Sequence, residues 1–265
     1  MREKTWLRWL VPCVLAVMAV TAGPALAAAG SLAEGLAFLA EGRKCLYNTP
    51  FAQAKEKLVQ AREIFLALGN SGPQGERHLA YYHAAEASLE LGTWYESQGE
   101  QKENLAQAAR EFAAAEEAAR RSLQLKKDFA GAYRVLAESY MRQMPYKGAL
   151  YTMSKGGEAK KLLDTALRLD KQDPANYLST GLWYQGAPAM VGGSLTRALA
   201  HFRKAAELAN DDFQRFYALV WTGLTLNRLQ EYAAAQEAFT QALAIYPESA
   251  WAKSGLAEAE AGGKK

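Results

Sequence analysis

Apolar and small residues recur three to four positions apart along most of the chain, which is the spacing of one face of an α-helix. The clearest stretch is 216–249, in which small and large residues follow a fixed order: Gly223, Ala235, Phe239, Ala242 and Pro247. Small residues let two helices approach closely, an aromatic ring fills the gap to the next pair, and proline ends a helix. The pattern therefore predicts a pair of packed helices.

The same spacing returns upstream, with insertions. It is repeated by Ala198, Phe202 and Ala205, and by Ala159, Leu163 and Ala166. Gly42, Ala54, Leu58 and Ala61 fit it without insertion, whereas Ala115, Ala119 and Ser122 fit it only weakly. Alternating β-branched runs, the pattern of strands, are nearly absent. We expect helix pairs over about 35–68, 74–124, 130–173, 174–215 and 216–249, then a closing helix over 250–261.

This spacing resembles the tetratricopeptide repeat (TPR), a helix-turn-helix unit of about 34 residues. The resemblance implies an all-α, TPR-like helix-turn-helix solenoid with two inserted loops and a C-terminal capping helix over residues 28–265. A plain helical bundle is the alternative, because alanine-rich helices match part of the pattern easily. Several units share the spacing, and we therefore favour the solenoid.

Two insertions interrupt the repeats at corresponding places, 144–157 and 186–193, and both contain proline, methionine and a Gly-Gly pair. Ser194 follows the second and is expected to cap the next helix. The run YLSTGLWYQGAPAMVGGSLTRALAHFRKAAEL resembles the T-component proteins of TRAP transporters, over about 130–244. That resemblance implies an exported accessory protein that contacts a periplasmic solute-binding protein and assembles as a trimer.

Residues 1–27 have the pattern of a secretory signal. Arg2, Lys4 and Arg8 precede an apolar stretch, and Ala25 and Ala27 form a small-x-small cleavage site. Cys13 lies inside the apolar stretch rather than at the cleavage point, so lipid attachment is not expected. We expect a periplasmic or secreted protein that is soluble after cleavage near Ala27 and is not a lipoprotein, although many members of the T-component family are.

Charge and candidate chemistry favour binding over catalysis. The chain has 31 basic and 28 acidic residues, and removal of 1–27 leaves 28 and 27, so no nucleic-acid partner is expected. The histidines lack zinc-ligand spacing, no phosphate-binding motif is present, and no cofactor is expected. Cys45 takes a position that the repeat normally buries. A helical-toroid hydrolase using carboxylates such as Glu138 and Glu158 is a less favoured alternative.

The TPR resemblance implies a protein partner in the groove formed by the first helix of each pair. Transferred by position, together with the insertions, the partner or ligand residues are Arg134, Glu138, Met141, Met144, Tyr146, Leu178, Leu182, Trp183, Gln185, Pro188, Met190, Tyr217, Val220, Leu224, Asn227 and Arg228. Leu178, Leu182, Val220 and Leu224 form an apolar stripe that either binds a partner or packs against another helix or subunit. A second hypothesis is a small apolar ligand in a cavity under the insertions, lined by Met141, Met144, Tyr146, Trp183, Tyr184 and Met190.

Overall fold

The computed structural model describes residues 30–263, which contain ten α-helices and two short 3₁₀ segments. The predicted signal over 1–27 lies outside the described residues. The helices are α1 (Leu32–Tyr47), α2 (Ala54–Ser71), α3 (Arg77–Ser97), α4 (Lys102–Leu125), α5 (Ala130–Leu169), α6 (Pro174–Gly186), α7 (Leu195–Leu208), α8 (Asp212–Arg228), α9 (Tyr232–Ile245) and α10 (Ala250–Gly262). The 3₁₀ segments are Phe51–Gln53 and Ala189–Val191.

Consecutive helices pack against each other along the chain, from α1 on α2 to α9 on α10. The predicted all-α, TPR-like solenoid is confirmed. Local sequence sets several of the helix starts. Ser194 caps α7 as expected, since its Oγ accepts a hydrogen bond of 3.3 Å from the backbone N–H of Arg197. Asp173 caps α6, and Pro174 stands at the first turn, where its missing N–H costs nothing.

Four of the five helix pairs have a close contact between a glycine of the first helix and a large side chain of the second. A Cβ added at Gly223 would lie 2.7 Å from the ring of Phe239, and one at Gly181 would lie 2.5 Å from the ring of Phe202. Both aromatic side chains are fully buried. Glycine is required here because any side chain would push the two helices apart.

The pair α3 and α4 uses the same contact, with Phe112 against Gly92. The weak match that we predicted through Ala119 and Ser122 is therefore wrong for this pair. A few extra residues between α3 and α4 place Phe112 further from Gly92 in sequence than the repeat spacing expects. The motif residue of this pair is Phe112, which is fully buried.

The first insertion differs from the loop that we expected. Helix runs through 144–157 on both sides of a break at Gly148, which has φ 78° and ψ −176°. Pro145 also lies inside the helix and lacks the N–H that would donate to the backbone carbonyl four residues earlier. Glycine adopts this backbone conformation readily. The two halves of α5 contact each other across the break, since the Tyr140 hydroxyl donates to Glu158 at 3.1 Å.

The first and last helix pairs meet, so that the concave face surrounds a cavity that is open on one side. The Tyr47 ring, at the end of α1, lies 5.4 Å from the Tyr217 ring of α8 and 6.0 Å from the Trp251 ring of α10. The side chain of Asn48 also accepts a 2.8 Å hydrogen bond from the backbone N–H of Glu248. None of the helices within residues 30–263 is both long and apolar enough to cross a membrane.

Candidate binding cavity on the concave face

The first helices of the pairs enclose a cavity of about 1570 Å³. Residues of α1, α3, the first half of α5, α6 and α8 line it, and the second insertion and the segment after Gly148 contribute to its opening. Its lining divides into a wall of paired charges and a wall of apolar side chains. A site of this kind, concave and largely apolar with a few fixed polar groups, is typical of ligand pockets.

The charged wall is centred on Glu86, which receives two arginines from different helices. Arg134 Nη2 donates to Glu86 Oε1 at 2.8 Å, and Arg43 Nη2 lies 3.3 Å from the same oxygen. His83 Nδ1 lies 2.9 Å from Glu86 Oε2. Arg134 Nη1 also donates to Glu138 at 3.0 Å. Since Glu86 and Arg134 are buried, these contacts balance charges that water cannot solvate.

A second carboxylate, Glu90, extends the network towards the contact between α1 and α8. Arg43 Nε donates to Glu90 Oε1 at 2.9 Å, and the Tyr47 hydroxyl donates to Oε2 at 2.8 Å. The Arg43 guanidinium also lies over the Phe213 ring at 4.5 Å. Arg43 therefore connects the first helix pair both to α3 and to α8.

The ionisation of the wall follows from these contacts. Burial by itself would raise the pKa of Glu86, but Arg43, His83 and Arg134 together hold that pKa well below its usual range. Burial opposes the charge of Arg134, yet Tyr82, Glu138 and Glu86 raise the pKa of its guanidinium overall. Burial raises the pKa of Asp173, with Arg134 opposing this effect. Glu86 and Arg134 are therefore held as an ion pair.

The apolar wall is formed by α5 and α6. Met141, Met144, Leu178 and Leu182 line this side, and Trp183 ties it to the first insertion because its Nε1 donates to the carbonyl of Gly156 at 3.0 Å. Methionine is flexible and polarisable, so these side chains can adapt to apolar ligands of different shape.

The cavity brings together ten of the sixteen residues selected from the sequence. They are Arg134, Glu138, Met141, Met144, Leu178, Leu182, Trp183, Pro188, Met190 and Tyr217. Glu138 accepts hydrogen bonds from both Arg134 and the Ser179 hydroxyl.

The other six residues do not line the cavity. Val220 is fully buried and Leu224 is half-buried against the core, so the predicted exposed stripe is interrupted at α8. Gln185 accepts from the Thr225 hydroxyl at 2.6 Å, Arg228 donates to the Gln185 carbonyl at 3.2 Å, and Asn227 donates to the Gly255 carbonyl at 3.0 Å. The Tyr146 hydroxyl donates to Glu96 at 2.7 Å. These side chains join helices to each other.

On α8 only Tyr217 of the transferred positions lines the cavity, because a different face of the rest of that helix points inward. Phe213, Tyr217 and Trp221, four residues apart, line the cavity. Arg43, Glu86 and Glu90 also line the cavity, although the repeat pattern did not predict them as site residues. A signal for them was present, since α3 carries two glutamates four residues apart in a stretch that is otherwise apolar or small.

The candidate catalytic residues are distributed differently. Glu138 lies in the cavity, whereas Glu158 does not line it and is bonded by Lys155 Nζ at 2.6 Å and by the Tyr140 hydroxyl at 3.1 Å. The structure therefore does not bring this carboxylate pair to one site.

Cys45 is buried, and burial raises the pKa of its thiol. No group of three metal-ligating His, Cys, Asp or Glu side chains occurs within 30–263.

Comparison with known proteins places the fold. No protein-family model matches the chain, and no curated protein does. The structure is similar to that of TTC0263, a thermophilic TPR protein of Thermus thermophilus, over 86% of this chain and 99% of that one, with 18% identity and a TM-score of 0.59. YrrB, a TPR protein with an unusual peptide-binding site, covers 86% of this chain and 98% of its own at 16% identity and a TM-score of 0.41. Pseudomonas aeruginosa pilF covers 86% and 95% at 16% identity and a TM-score of 0.41.

This chain has the TPR fold. The glycine–aromatic contacts of the helix pairs and the similarity to TTC0263 agree on it. The relation to TRAP transporter T-component proteins stays a prediction from the sequence.

Proposed function

We propose that this protein is a non-catalytic TPR-type binding protein whose concave cavity takes an amphiphilic ligand. The observation that carries the proposal is the division of one cavity of about 1570 Å³ into an apolar wall and a charge-paired wall. An acyl or other apolar chain fits against the methionine and leucine side chains. The polar end of the ligand faces the network of arginines and glutamates.

The apolar wall offers the larger part of the binding free energy. Burial of a leucine- or methionine-sized group stabilises by about 1.5 to 3 kcal/mol. Met141, Leu178 and Leu182 are all only partly buried in the free protein, so a ligand would remove further apolar surface from water. The charged wall contributes selectivity. Its carboxylates are already paired with arginines, so the N–H donors that are left free select the polar group of the ligand.

The test is titration of the protein with cis-parinaric acid, a fluorescent fatty acid. Wild-type protein is expected to bind it, and the combined variant Leu178→Gln with Leu182→Gln to bind at least about tenfold more weakly, because an apolar chain loses its contact surface. Leu125→Gln is the matched control, since Leu125 is an exposed leucine outside the cavity. Equal loss in the control, or no binding by the wild type, would overturn the proposal.

A protein partner is the second candidate, favoured by the position of the cavity on the first helices of the repeats. These supply Arg134, Leu178 and Tyr217, which an extended polypeptide segment could contact side by side. On the resemblance to TRAP T-component proteins, this partner would be a periplasmic solute-binding protein. Native mass spectrometry of the purified protein distinguishes the two candidates, because a bound amphiphile adds a few hundred daltons and a polypeptide adds far more.

Export is part of the proposal and depends on residues 1–27. Ala25→Leu with Ala27→Leu removes the small-x-small pattern that signal peptidase requires. We expect the unaltered chain to be recovered shortened by about 27 residues, and the variant to keep its N-terminal segment. N-terminal sequencing makes the measurement, and an unaltered chain that keeps Met1 would contradict cleavage.

A further inference from the structure

The two insertions expose apolar side chains to solvent. Seven large apolar side chains are exposed in residues 30–263, and the four most exposed are Leu150 at 84%, Met153 at 79%, Met190 at 91% and Val191 at 59%. All four belong to the two insertions or their 3₁₀ segment. We call them the rim patch. Soluble proteins expose such groups together mainly where something binds.

The rim patch lies at the opening of the cavity. Met153, Met190 and Val191 line the cavity as well as being exposed. Trp183 contacts both insertions. Its indole N–H donates to the carbonyl of Gly156 in the first insertion. Its ring lies against Gly192 in the second insertion, where an added Cβ would be 3.8 Å from the ring. The two insertions therefore form one surface on a fixed support.

The two stretches of chain that carry the rim patch contain basic residues and no acidic ones. The sequence has Lys147 and Lys155 but no acidic residue between Arg142 and Glu158, and no acidic residue between Asp173 and Glu207. Lys155 pairs with Glu158, whereas Lys147 and Arg197 are exposed and form no ion pair with another described residue. An apolar patch beside unneutralised cations complements a surface of apolar chains under anionic headgroups.

We propose that the rim patch docks the protein onto an anionic lipid bilayer. Leu150, Met153, Met190 and Val191 enter the boundary between headgroups and acyl chains, while Lys147 and Arg197 lie at the phosphates. Docking in this orientation places the opening of the cavity against the lipid. The inference concerns the outside of the protein and holds whether or not the cavity binds an amphiphile.

The experiment uses the full chain with an environment-sensitive fluorophore at single positions. Cys13→Ala and Cys45→Ala remove the native thiols, and Met190→Cys or Leu125→Cys provides the labelling site. Leu125 is an exposed leucine at the end of α4, at the opposite end of the first half of α5 from the rim patch. Vesicles are made of equal parts of phosphatidylcholine and phosphatidylglycerol, or of phosphatidylcholine alone. Because the label reports its own surroundings, membrane binding by residues 1–27 does not imitate the signal.

On the anionic vesicles only, the fluorescence emission of the label at position 190 is expected to shift to shorter wavelength and to be quenched by lipid-borne nitroxide. The emission of the label at position 125 is expected to stay unchanged. Lys147→Gln with Arg197→Gln is expected to weaken vesicle binding roughly 30-fold, from about 1 kcal/mol for each cation near the surface. Lys127→Gln, an exposed lysine beside Leu125, is the control and is expected to have no effect.

Three results would overturn the proposal. The labels at 190 and 125 could respond alike, or the label at 190 could be silent on anionic vesicles. The protein could also form a stable oligomer that dissociates when Leu150→Ser and Met190→Ser are combined, as measured by analytical ultracentrifugation. In that case a second copy of the chain, rather than lipid, covers the rim patch.

Discussion

Asn48 and Glu248 lie 200 residues apart in sequence, and the side chain of the first accepts a 2.8 Å hydrogen bond from the backbone of the second. This contact, together with Tyr47 packed between α8 and α10, joins the first helix pair to the last. The seam converts an open concave face into a cavity. We define the seam as Tyr47, Asn48, Tyr217, Glu248 and Trp251.

Tyr47→Ala is expected to open the seam. Tyr47 is buried and contacts rings from two helices, so its loss should destabilise the protein by about 3 to 5 kcal/mol, as for other large aromatic side chains. Urea unfolding measures this loss, and small-angle scattering should detect a larger radius of gyration. Tyr47→Phe keeps the ring and removes the donor to Glu90, so it should cost only about 1 to 2 kcal/mol without expansion. An unchanged radius in Tyr47→Ala would contradict closure by this residue.

Glu86→Gln should be strongly destabilising. The substitution removes the charge that balances Arg43 and Arg134 in a buried site, which typically costs about 3 to 5 kcal/mol. The control is Glu117→Gln, which breaks a pair with Arg121 whose glutamate is 66% exposed, and should change stability by less than about 1 kcal/mol. Chemical unfolding of both variants provides the comparison. Similar small effects in the two would mean that the buried network contributes little.

The contribution of Glu86 should depend on pH in a defined direction. Its pKa is depressed in the folded protein, so the unfolded state binds the proton more readily, and the stabilisation is present above the unfolded value of about 4.3. It is lost as pH falls below that value through the folded pKa. The part of the difference in unfolding free energy between wild type and Glu86→Gln that comes from this carboxylate should therefore be fully present above about pH 5 and shrink below about pH 4. A difference that grows on acidification would contradict this sign.

Gly223→Ala and Gly157→Ala should have opposite effects. Both glycines are helical, but a Cβ at Gly223 would lie 2.7 Å from Phe239, whereas nothing lies within 4 Å of one at Gly157. The first substitution should destabilise by about 1 to 3 kcal/mol through overpacking, less the gain in helix propensity. The second should stabilise by about 0.5 to 1 kcal/mol through propensity alone. Thermal unfolding of the two variants makes the measurement, and stabilisation of both would show that Phe239 can move aside.

The hydrophobic pattern determined the helical repeat because helix pairing is a local property. The spacing of Gly223 and Phe239 fixes how two neighbouring helices contact, whatever lies elsewhere in the chain. The positions transferred from the TPR resemblance placed Arg134, Leu178 and Leu182 on the inner face of their helices, and all three line the cavity. Ser194 was identifiable as a cap for the same reason, since its hydrogen bond spans three residues.

Only the tertiary structure decided that the concave face closes and which face of α8 points inward. The bond between Asn48 and Glu248 depends on small rotations added over every intervening helix pair, which no local pattern contains. The burial of Val220 and the exposure of Met190 have the same origin, because each depends on what the rest of the solenoid places beside it. Stacking of the first three helix pairs brings Arg43, Glu86 and Arg134 together from three separate helices, and the resulting charge network gives the cavity a polar wall opposite its apolar one.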